Sequence, residues 1–107
     1  MQTAFLSEET HKICLQSIPI VSVDVVVLNQ AQDKTLLFRR ENKPLKGVFY
    51  TLGGRILKGE SIVDTAVRKL REEAGLKIAK KDLFLGGIME EFFDDSIYPE
   101  VDTHNVN

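Results

Sequence analysis

The stretch GGRILKGESIVDTAVRKLREEAGL, residues 53–76, constrains the fold more than any other part of this chain. It joins a glycine pair to a turn and then to a segment whose apolar residues recur at helical spacing. Those apolar residues are Val63, Ala66, Val67, Leu70 and Ala74. Gly75 followed by Leu76 is a typical helix stop, because glycine readily adopts the left-handed conformation that ends a helix. The pattern predicts a helix over residues 61–74 that packs one face against the rest of the domain.

Two adjacent carboxylates near the end of this helix, Glu72 and Glu73, have two interpretations. At about 100° per residue, Glu73 lies beside the apolar stripe and Glu72 points almost directly away from it. In the simpler interpretation, Arg68 pairs with Glu72 and Lys69 with Glu73, at the i,i+4 spacing that stabilises a solvated helix by about 0.2–0.5 kcal/mol per pair.

In the second interpretation the same carboxylates bind a metal ion. The glycine pair brings backbone carbonyls close to the start of the helix, and Glu60 lies at its entry. Carboxylate and carbonyl oxygens are the hard ligands that Mg²⁺ prefers. A magnesium site is therefore the alternative to a set of surface ion pairs.

The remaining elements are predicted from local patterns, and the whole chain, residues 1–107, is expected to form one α/β domain. Ser7 and the acidic residues after it favour a first helix that ends before Pro19. Valine-rich and alternating stretches predict strands at 20–29, 34–40, 48–52 and 82–95, the first two as a hairpin and the last with a bend at its glycine pair.

The last residues, 101–107, resume a weak alternation, so the chain is expected to stop within a strand. The domain would then lack its final strands and helix and would leave an open sheet edge and face, which a second copy of the chain could cover. The net charge of −2 offers no cationic surface for nucleic acid or for an anionic membrane. With a single cysteine and no long apolar segment, the chain is predicted to be cytoplasmic.

The spacing of the helix residues resembles the signature of the Nudix hydrolases. That signature is Gly, five residues, Glu, seven residues, and then Arg-Glu-apolar-any-Glu-Glu-any-Gly-apolar. The matching residues are Gly54, Glu60, Arg68, Leu70, Glu72, Glu73, Gly75 and Leu76. The departure is Lys69, which stands where the family pattern has glutamate. The resemblance implies an α/β/α sandwich with a mixed sheet and a divalent cation, Mg²⁺ with Mn²⁺ as the alternative. A protonated lysine at that position cannot bind a metal ion.

The segments SIPIVSVDVVV, RRENKPLKGVFYTLGGR and EEFFDD further resemble the branch that hydrolyses GDP-mannose at the sugar carbon. This resemblance implies that the Gly53 carbonyl and Glu73 hold the metal, with Glu72 as a further carboxylate. It also implies that Arg40 and Arg55 bind the diphosphate and that Asp24 helps to recognise the ligand. Arg68 is expected to orient Glu73 or a phosphate, so Arg40, Arg55 and Arg68 form the predicted catalytic set.

The histidine that activates water in that branch has no counterpart in this chain. Glu91 or His104 is a possible substitute, and loss of a general base typically costs about 10² to 10⁴ in rate. The predicted function is Mg²⁺-dependent hydrolysis of a nucleotide sugar, such as GDP-mannose, to a nucleoside diphosphate and a sugar. The alternatives are a Nudix diphosphatase acting on ADP-ribose or another nucleoside diphosphate derivative, and a non-catalytic nucleotide-binding or dimerisation module. The resemblance also implies a homodimer.

Overall fold

The computed structural model describes residues 6–107 and contains two α-helices and six strands in that range. Residues 1–5 lie outside the described residues. The helices and strands are α1 Glu8–Ser17, β1 Ile20–Val25, β2 Phe38–Arg39, β3 Phe49–Tyr50, β4 Leu52–Arg55, α2 Ile62–Ala74, β5 Glu90–Phe93 and β6 Thr103–Val106. No helix among residues 6–107 has the length and apolar character needed to cross a bilayer.

Four of the strands form one mixed sheet in the order β4-β1-β6-β5. Strand β1 runs antiparallel to β4 and parallel to β6, and β6 runs antiparallel to β5. Helix α2 packs against β1 and β4 on one face of the sheet. Residues of α1 line a cavity over the opposite face. The predicted α/β class with a mixed sheet is confirmed, whereas the assignment of residues 1–107 to one domain stays a prediction.

Helix α2 ends where its local sequence predicts. The Ser61 hydroxyl caps it by accepting a hydrogen bond from the Asp64 backbone N–H at 3.0 Å. Gly75 closes it in the left-handed conformation, with φ of 66°, and the Leu76 N–H donates to the Leu70 carbonyl at 3.1 Å. Both caps are local interactions that add to the stability which α2 gains by packing on the sheet.

The core lies between α2 and the sheet. Leu52 and Leu70 are each 2% exposed and pack with Val25 and Ala66. At roughly 25 cal/mol per Å² of apolar surface, each fully buried leucine contributes about 1.5–3 kcal/mol. The buried face of α2 differs from the predicted apolar stripe near the start of the helix. Val63 is exposed there, whereas Thr65, which is polar, is fully buried.

The predicted strands are partly wrong in their extents. Strand β1 stops at Val25, although the bridge between Leu28 and Thr35 closes the expected hairpin. The predicted strand at 48–52 is divided, because β3 pairs with β2 while β4 pairs with β1. Residues 82–89 are not a strand, contrary to the prediction, and only Glu90–Phe93 pair with β6.

The last residues are extended, as predicted, because they form strand β6. This strand lies inside the sheet rather than at its edge. It sits between β1 and β5, with Ile20 opposite Asn105 and Phe92 opposite His104. The expectation that the domain lacks further strands and a helix stays a prediction. Four large apolar side chains within β5 or in the segment just before it are between 70% and 90% exposed, and we call them the apolar patch: Phe84, Leu85, Ile88 and Phe92.

Candidate functional site

The turn before α2 is held by a buried ion pair between Glu60 and Arg68. The Arg68 Nε donates to Glu60 Oε2 at 2.7 Å, and its Nη2 donates to Glu60 Oε1 at 3.0 Å. The Thr65 hydroxyl adds a third hydrogen bond to Glu60 at 2.7 Å. These contacts, the one to Arg68 above all, lower the pKa of Glu60 to about 2. The carboxylate is therefore ionised and fully engaged at neutral pH.

Arg68 also joins the helix to the strand that precedes it. Its Nη2 donates to the Arg55 carbonyl at 3.2 Å, and its Nη1 reaches Glu72 Oε2 at 3.3 Å. The interaction with Glu60 was missed by the sequence reasoning, which considered Glu72, Glu73 or a phosphate as partners of Arg68. Both residues belong to the signature, and their spacing along it was the available signal. A catalytic role for Arg68 stays a prediction.

The two predicted metal-binding carboxylates are engaged in the ion pairs of the simpler interpretation. Glu72 pairs with Arg68 at 3.3 Å, and Glu73 Oε1 lies 2.9 Å from Lys69 Nζ. The side chains of Glu72 and Glu73 are 43% and 38% exposed. Partly exposed pairs of this kind are worth at most about 1 kcal/mol, so a stronger ligand could displace them.

Both glycines of the pair lie close to neighbouring atoms, Gly53 to backbone and Gly54 to the flexible side chain of Lys69. A Cβ on Gly53 would lie 2.2 Å from the Val23 carbonyl oxygen, and a Cβ on Gly54 would lie 2.7 Å from Lys69 Cε. Contacts this short exclude any side chain at Gly53 unless the backbone moves. Strand β4 therefore comes close to the flank of α2, where the metal site was predicted.

The donors predicted for Mg²⁺ are the Gly53 carbonyl, Glu73 and Glu72. They fit a hard divalent cation in chemistry, since all are oxygen ligands. Within residues 6–107, however, no three Asp, Glu, His or Cys side chains are grouped so that they could hold a metal ion. A metal ion at Glu73 would share this carboxylate with the Lys69 ammonium, which lies 2.9 Å from Glu73 Oε1. The assignment of these three residues as ligands stays a prediction.

A cavity of about 280 Å³ lies over the sheet face opposite α2. It brings together four of the predicted site residues: Asp24, Arg40, Gly53 and Arg55. The other three, Arg68, Glu72 and Glu73, do not line it. Its size approaches that of ordinary ligand pockets, which span about 300–1,000 Å³.

Asp24 is the most perturbed acid in this cavity. Its Oδ2 is buried and has no hydrogen-bond partner among the described residues. Burial and then the negative charge of Glu91 raise the pKa of Asp24 to about 6, against the opposing effect of Arg40. A buried acceptor without a partner is costly, so this oxygen is well placed to accept a hydrogen bond from a ligand.

Glu91 is held at the cavity wall by a network that sequence reasoning did not find. The Tyr50 hydroxyl and the Asn107 side-chain amide both donate to its carboxylate. The Ser22 hydroxyl donates in turn to Asn107. Burial and then the hydrogen bond to Glu91 raise the pKa of Tyr50 above its usual value. Tyr50 and Asn107 carried no local signal, because each contacts Glu91 only through the tertiary fold.

Arg40 and His11 line the cavity, whereas His104 does not. Arg40 lines the cavity, and its Nε donates to the Pro44 carbonyl at 2.7 Å. His11 also lines the cavity and contacts the Tyr98 hydroxyl at 2.8 Å, and burial followed by the charge of Arg55 lowers its pKa. His104 is not part of the cavity wall, because it stacks on Phe92 with ring centroids 4.2 Å apart. Of the two suggested substitutes for the missing base, only Glu91 lines the cavity.

Comparisons with known proteins agree with the signature. The family model of the NUDIX domain matches residues 19–107. The low-salt glycan biosynthesis protein Agl8 of Haloferax volcanii is 29% identical over 101 residues, which cover 94% of this chain and 62% of that protein. The ADP-ribose pyrophosphatase of Methanocaldococcus jannaschii is 40% identical over 68 residues, or 64% of this chain and 38% of that protein.

A solved structure of similar fold is that of a MutT/nudix family protein from Enterococcus faecalis. It matches with a TM-score of 0.64 at 21% sequence identity, over 96% of this chain and 48% of that one. The chain thus spans less than two thirds of the length of each of these three proteins. Since the family model covers most of the chain and the signature residues meet where α2 joins β4, this chain belongs to the Nudix hydrolase family.

Proposed function

We propose that this domain hydrolyses a nucleotide sugar, such as GDP-mannose, to a nucleoside diphosphate and a free sugar, with Mg²⁺ or Mn²⁺ as cofactor. The observation that supports this most is that Asp24, Arg40 and Arg55 line one cavity. Two arginines suit a diphosphate, because guanidinium groups bind phosphate oxygens through paired, charge-assisted hydrogen bonds. The buried free oxygen of Asp24 suits a ligand hydroxyl.

In this reaction the bond between the sugar carbon and the diphosphate oxygen breaks, and the electron pair leaves with the diphosphate. Arg40 and Arg55 would stabilise the negative charge that develops there. Water adds to the carbon and loses a proton, and Glu91 is the carboxylate of the cavity wall proposed to accept it. A divalent cation held by the Gly53 carbonyl, Glu72 and Glu73 would, when bound, neutralise further charge on the diphosphate.

Isotope labelling tests the position of attack. The protein is incubated with GDP-mannose and Mg²⁺ in heavy-oxygen water, and the products are analysed by mass spectrometry. The proposal expects the label in mannose and none in the nucleotide. Label in a phosphate would place the attack at phosphorus and overturn it.

A matched pair of variants tests the role of the cavity. Arg40→Met should raise KM for the nucleotide sugar by about tenfold or more, because a hydrogen bond to a charged group is worth about 1.5–3 kcal/mol. Arg39→Met is the control, since Arg39 is the exposed neighbour of Arg40 and does not line the cavity. Equal KM values for the two variants would count against diphosphate binding in this cavity.

A second candidate is a diphosphatase acting on ADP-ribose or another nucleoside diphosphate derivative. It is favoured by the 40% identity to a protein named as an ADP-ribose pyrophosphatase. Nucleoside monophosphate among the products would support it.

A third candidate is a nucleotide-binding or dimerisation module without catalysis, which the pairing of Glu73 with Lys69 favours. Calorimetric binding of GDP-mannose with no turnover of any diphosphate substrate would support it.

We also propose that the protein is a cytoplasmic homodimer that binds neither nucleic acid nor membranes. The apolar patch supports self-association, because contact with a second copy would remove these exposed apolar side chains from water. Light scattering tests it, and a monomer at all concentrations would contradict the dimer. A direct RNA-binding assay tests the exclusion of nucleic acid, since one matched relative, from Pseudomonas aeruginosa, is named as a NAD-capped RNA hydrolase.

A further inference from the structure

Lys69 occupies a defined place between the glycine pair and the carboxylate predicted to bind metal. Its aliphatic stem lies over Gly54, where a Cβ would come within 2.7 Å of Cε and 3.1 Å of Nζ. Its ammonium lies 2.9 Å from Glu73 Oε1. The lysine side chain is only 18% exposed. The absence of a side chain at Gly54 thus makes room for Lys69 and directs its charge onto Glu73.

This placement changes the electrostatics of the predicted metal site in two ways. The chain has lysine where the signature has glutamate, so one carboxylate is lost and one positive charge is gained. A divalent cation bound at Glu73 would lie within a few ångströms of the ammonium, and like charges at such a distance repel strongly near a protein surface. Both the pairing and the repulsion oppose metal binding.

We propose that Lys69 is an internal competitor for the divalent cation at Glu73. With Lys69 in its present position the ammonium occupies Glu73 Oε1 and repels a cation at that carboxylate, so a metal ion binds tightly only when the lysine side chain moves away. The domain then holds its metal more weakly than its own oxygen ligands would allow. This inference concerns the ligand Glu73 and rests on the metal site of the proposed function, but it does not depend on which substrate is cleaved.

Titration of the full chain with Mn²⁺, followed by the electron paramagnetic resonance signal of free Mn²⁺, tests the proposal without substrate. Lys69→Met keeps most of the apolar stem and removes the charge. It should lower the Kd for Mn²⁺ by about tenfold, equivalent to about 1.4 kcal/mol. Lys69→Glu, which restores the carboxylate of the signature, should lower the Kd further.

Arg71→Met is the matched control, because Arg71 is exposed on the same helix and forms no ion pair among residues 6–107. It removes the same net charge and should change the Kd by less than twofold. The double variant Lys69→Met with Glu73→Gln should return the Kd to the wild-type value or above. Far-UV circular dichroism confirms that each variant is folded, and Lys69→Gln replaces Lys69→Met if the latter is not.

The proposal is overturned if neutralising Lys69 leaves the Kd within twofold of wild type, or if Arg71→Met lowers it equally. It is also overturned if the gain survives Glu73→Gln. Failure of the proposed hydrolysis would be recognised separately, because it would appear in product analysis and leave the order of these Mn²⁺ affinities unchanged.

Discussion

Replacing Glu60 with glutamine tests whether the buried Glu60–Arg68 ion pair holds the turn before α2. The side chains of Glu60 and Arg68 are only 8% and 14% exposed, and glutamine has nearly the same shape as glutamate. The substitution therefore removes charge with little change in packing. It leaves the largely buried guanidinium with only the longer, partly exposed pair to Glu72, and removing one partner of a buried pair is the costly way to break it.

The magnitude follows from the pKa of Glu60, which falls from 4.5 to about 2 on folding. At about 1.4 kcal/mol per pKa unit this corresponds to at most about 3.5 kcal/mol. Solvent screening near the surface reduces the expected loss to about 2 kcal/mol. For a domain of this size, such a loss lowers Tm by about 10 °C.

The pH dependence gives the sharper test. Since the folded-state pKa is depressed, the contribution of Glu60 is fully present above pH 4.5 and is lost as the pH falls towards 2. Urea unfolding, followed by circular dichroism, should therefore give a difference between wild type and Glu60→Gln of about 2 kcal/mol at pH 7 that shrinks by pH 3. Glu9→Gln, in an exposed position of α1, is the control and should cost only a few tenths of a kcal/mol. A loss below about 0.5 kcal/mol at pH 7, or one that does not change with pH, would refute the reasoning.

Three further predictions concern single residues whose environment is equally specific. Gly53→Ala should destabilise the fold by about 2 kcal/mol or more, because its Cβ would lie 2.2 Å from the Val23 carbonyl; unfolding by urea measures this, and an unchanged midpoint would contradict it. Asp24→Asn should raise the free energy of unfolding at pH 7 by about 1 kcal/mol. The pKa of Asp24 is raised from 3.8 to about 6 on folding, so ionisation of this aspartate lowers the stability of the wild type as the pH rises through that range. The gain should therefore vanish in urea titrations near pH 4. Gly75→Ala should cost about 1 kcal/mol by thermal denaturation, because φ of 66° disfavours any residue with a Cβ, and Gly86→Ala, where a Cβ meets open space, is its control.

The signature residues have a structural function here as well as a proposed chemical one. Glu60, Arg68 and Gly54 are all engaged in contacts that fix the approach of α2 to β4. The carboxylates of Glu72 and Glu73 remain partly exposed at the end of the same helix. In this chain the signature residues therefore indicate a turn fixed by hydrogen bonds more directly than they indicate a metal site.

The sequence determined those features whose physical cause lies within a few residues. Helix α2 was predicted because its caps, Ser61 and Gly75, and its apolar spacing act within single turns. The i,i+4 pairs of Glu72 and Glu73 were expected for the same reason, since helix geometry alone brings the partners together. The family followed from a long spaced motif, which needs no knowledge of tertiary contacts.

Only the tertiary structure decided how distant segments meet. Strand β6 enters the sheet between β1 and β5, a position that no local pattern specifies. This insertion brings Asn107 to Glu91 and, with β3, adds Tyr50 to the wall of the cavity that also holds Asp24. Alternation of side chains predicts which residues share a face of one strand, but strand order and register set which faces meet. The charge and hydrogen-bonding groups of each side chain follow from the sequence. The fold determines which groups lie beside them, and those neighbours set the pKa values and hydrogen bonds.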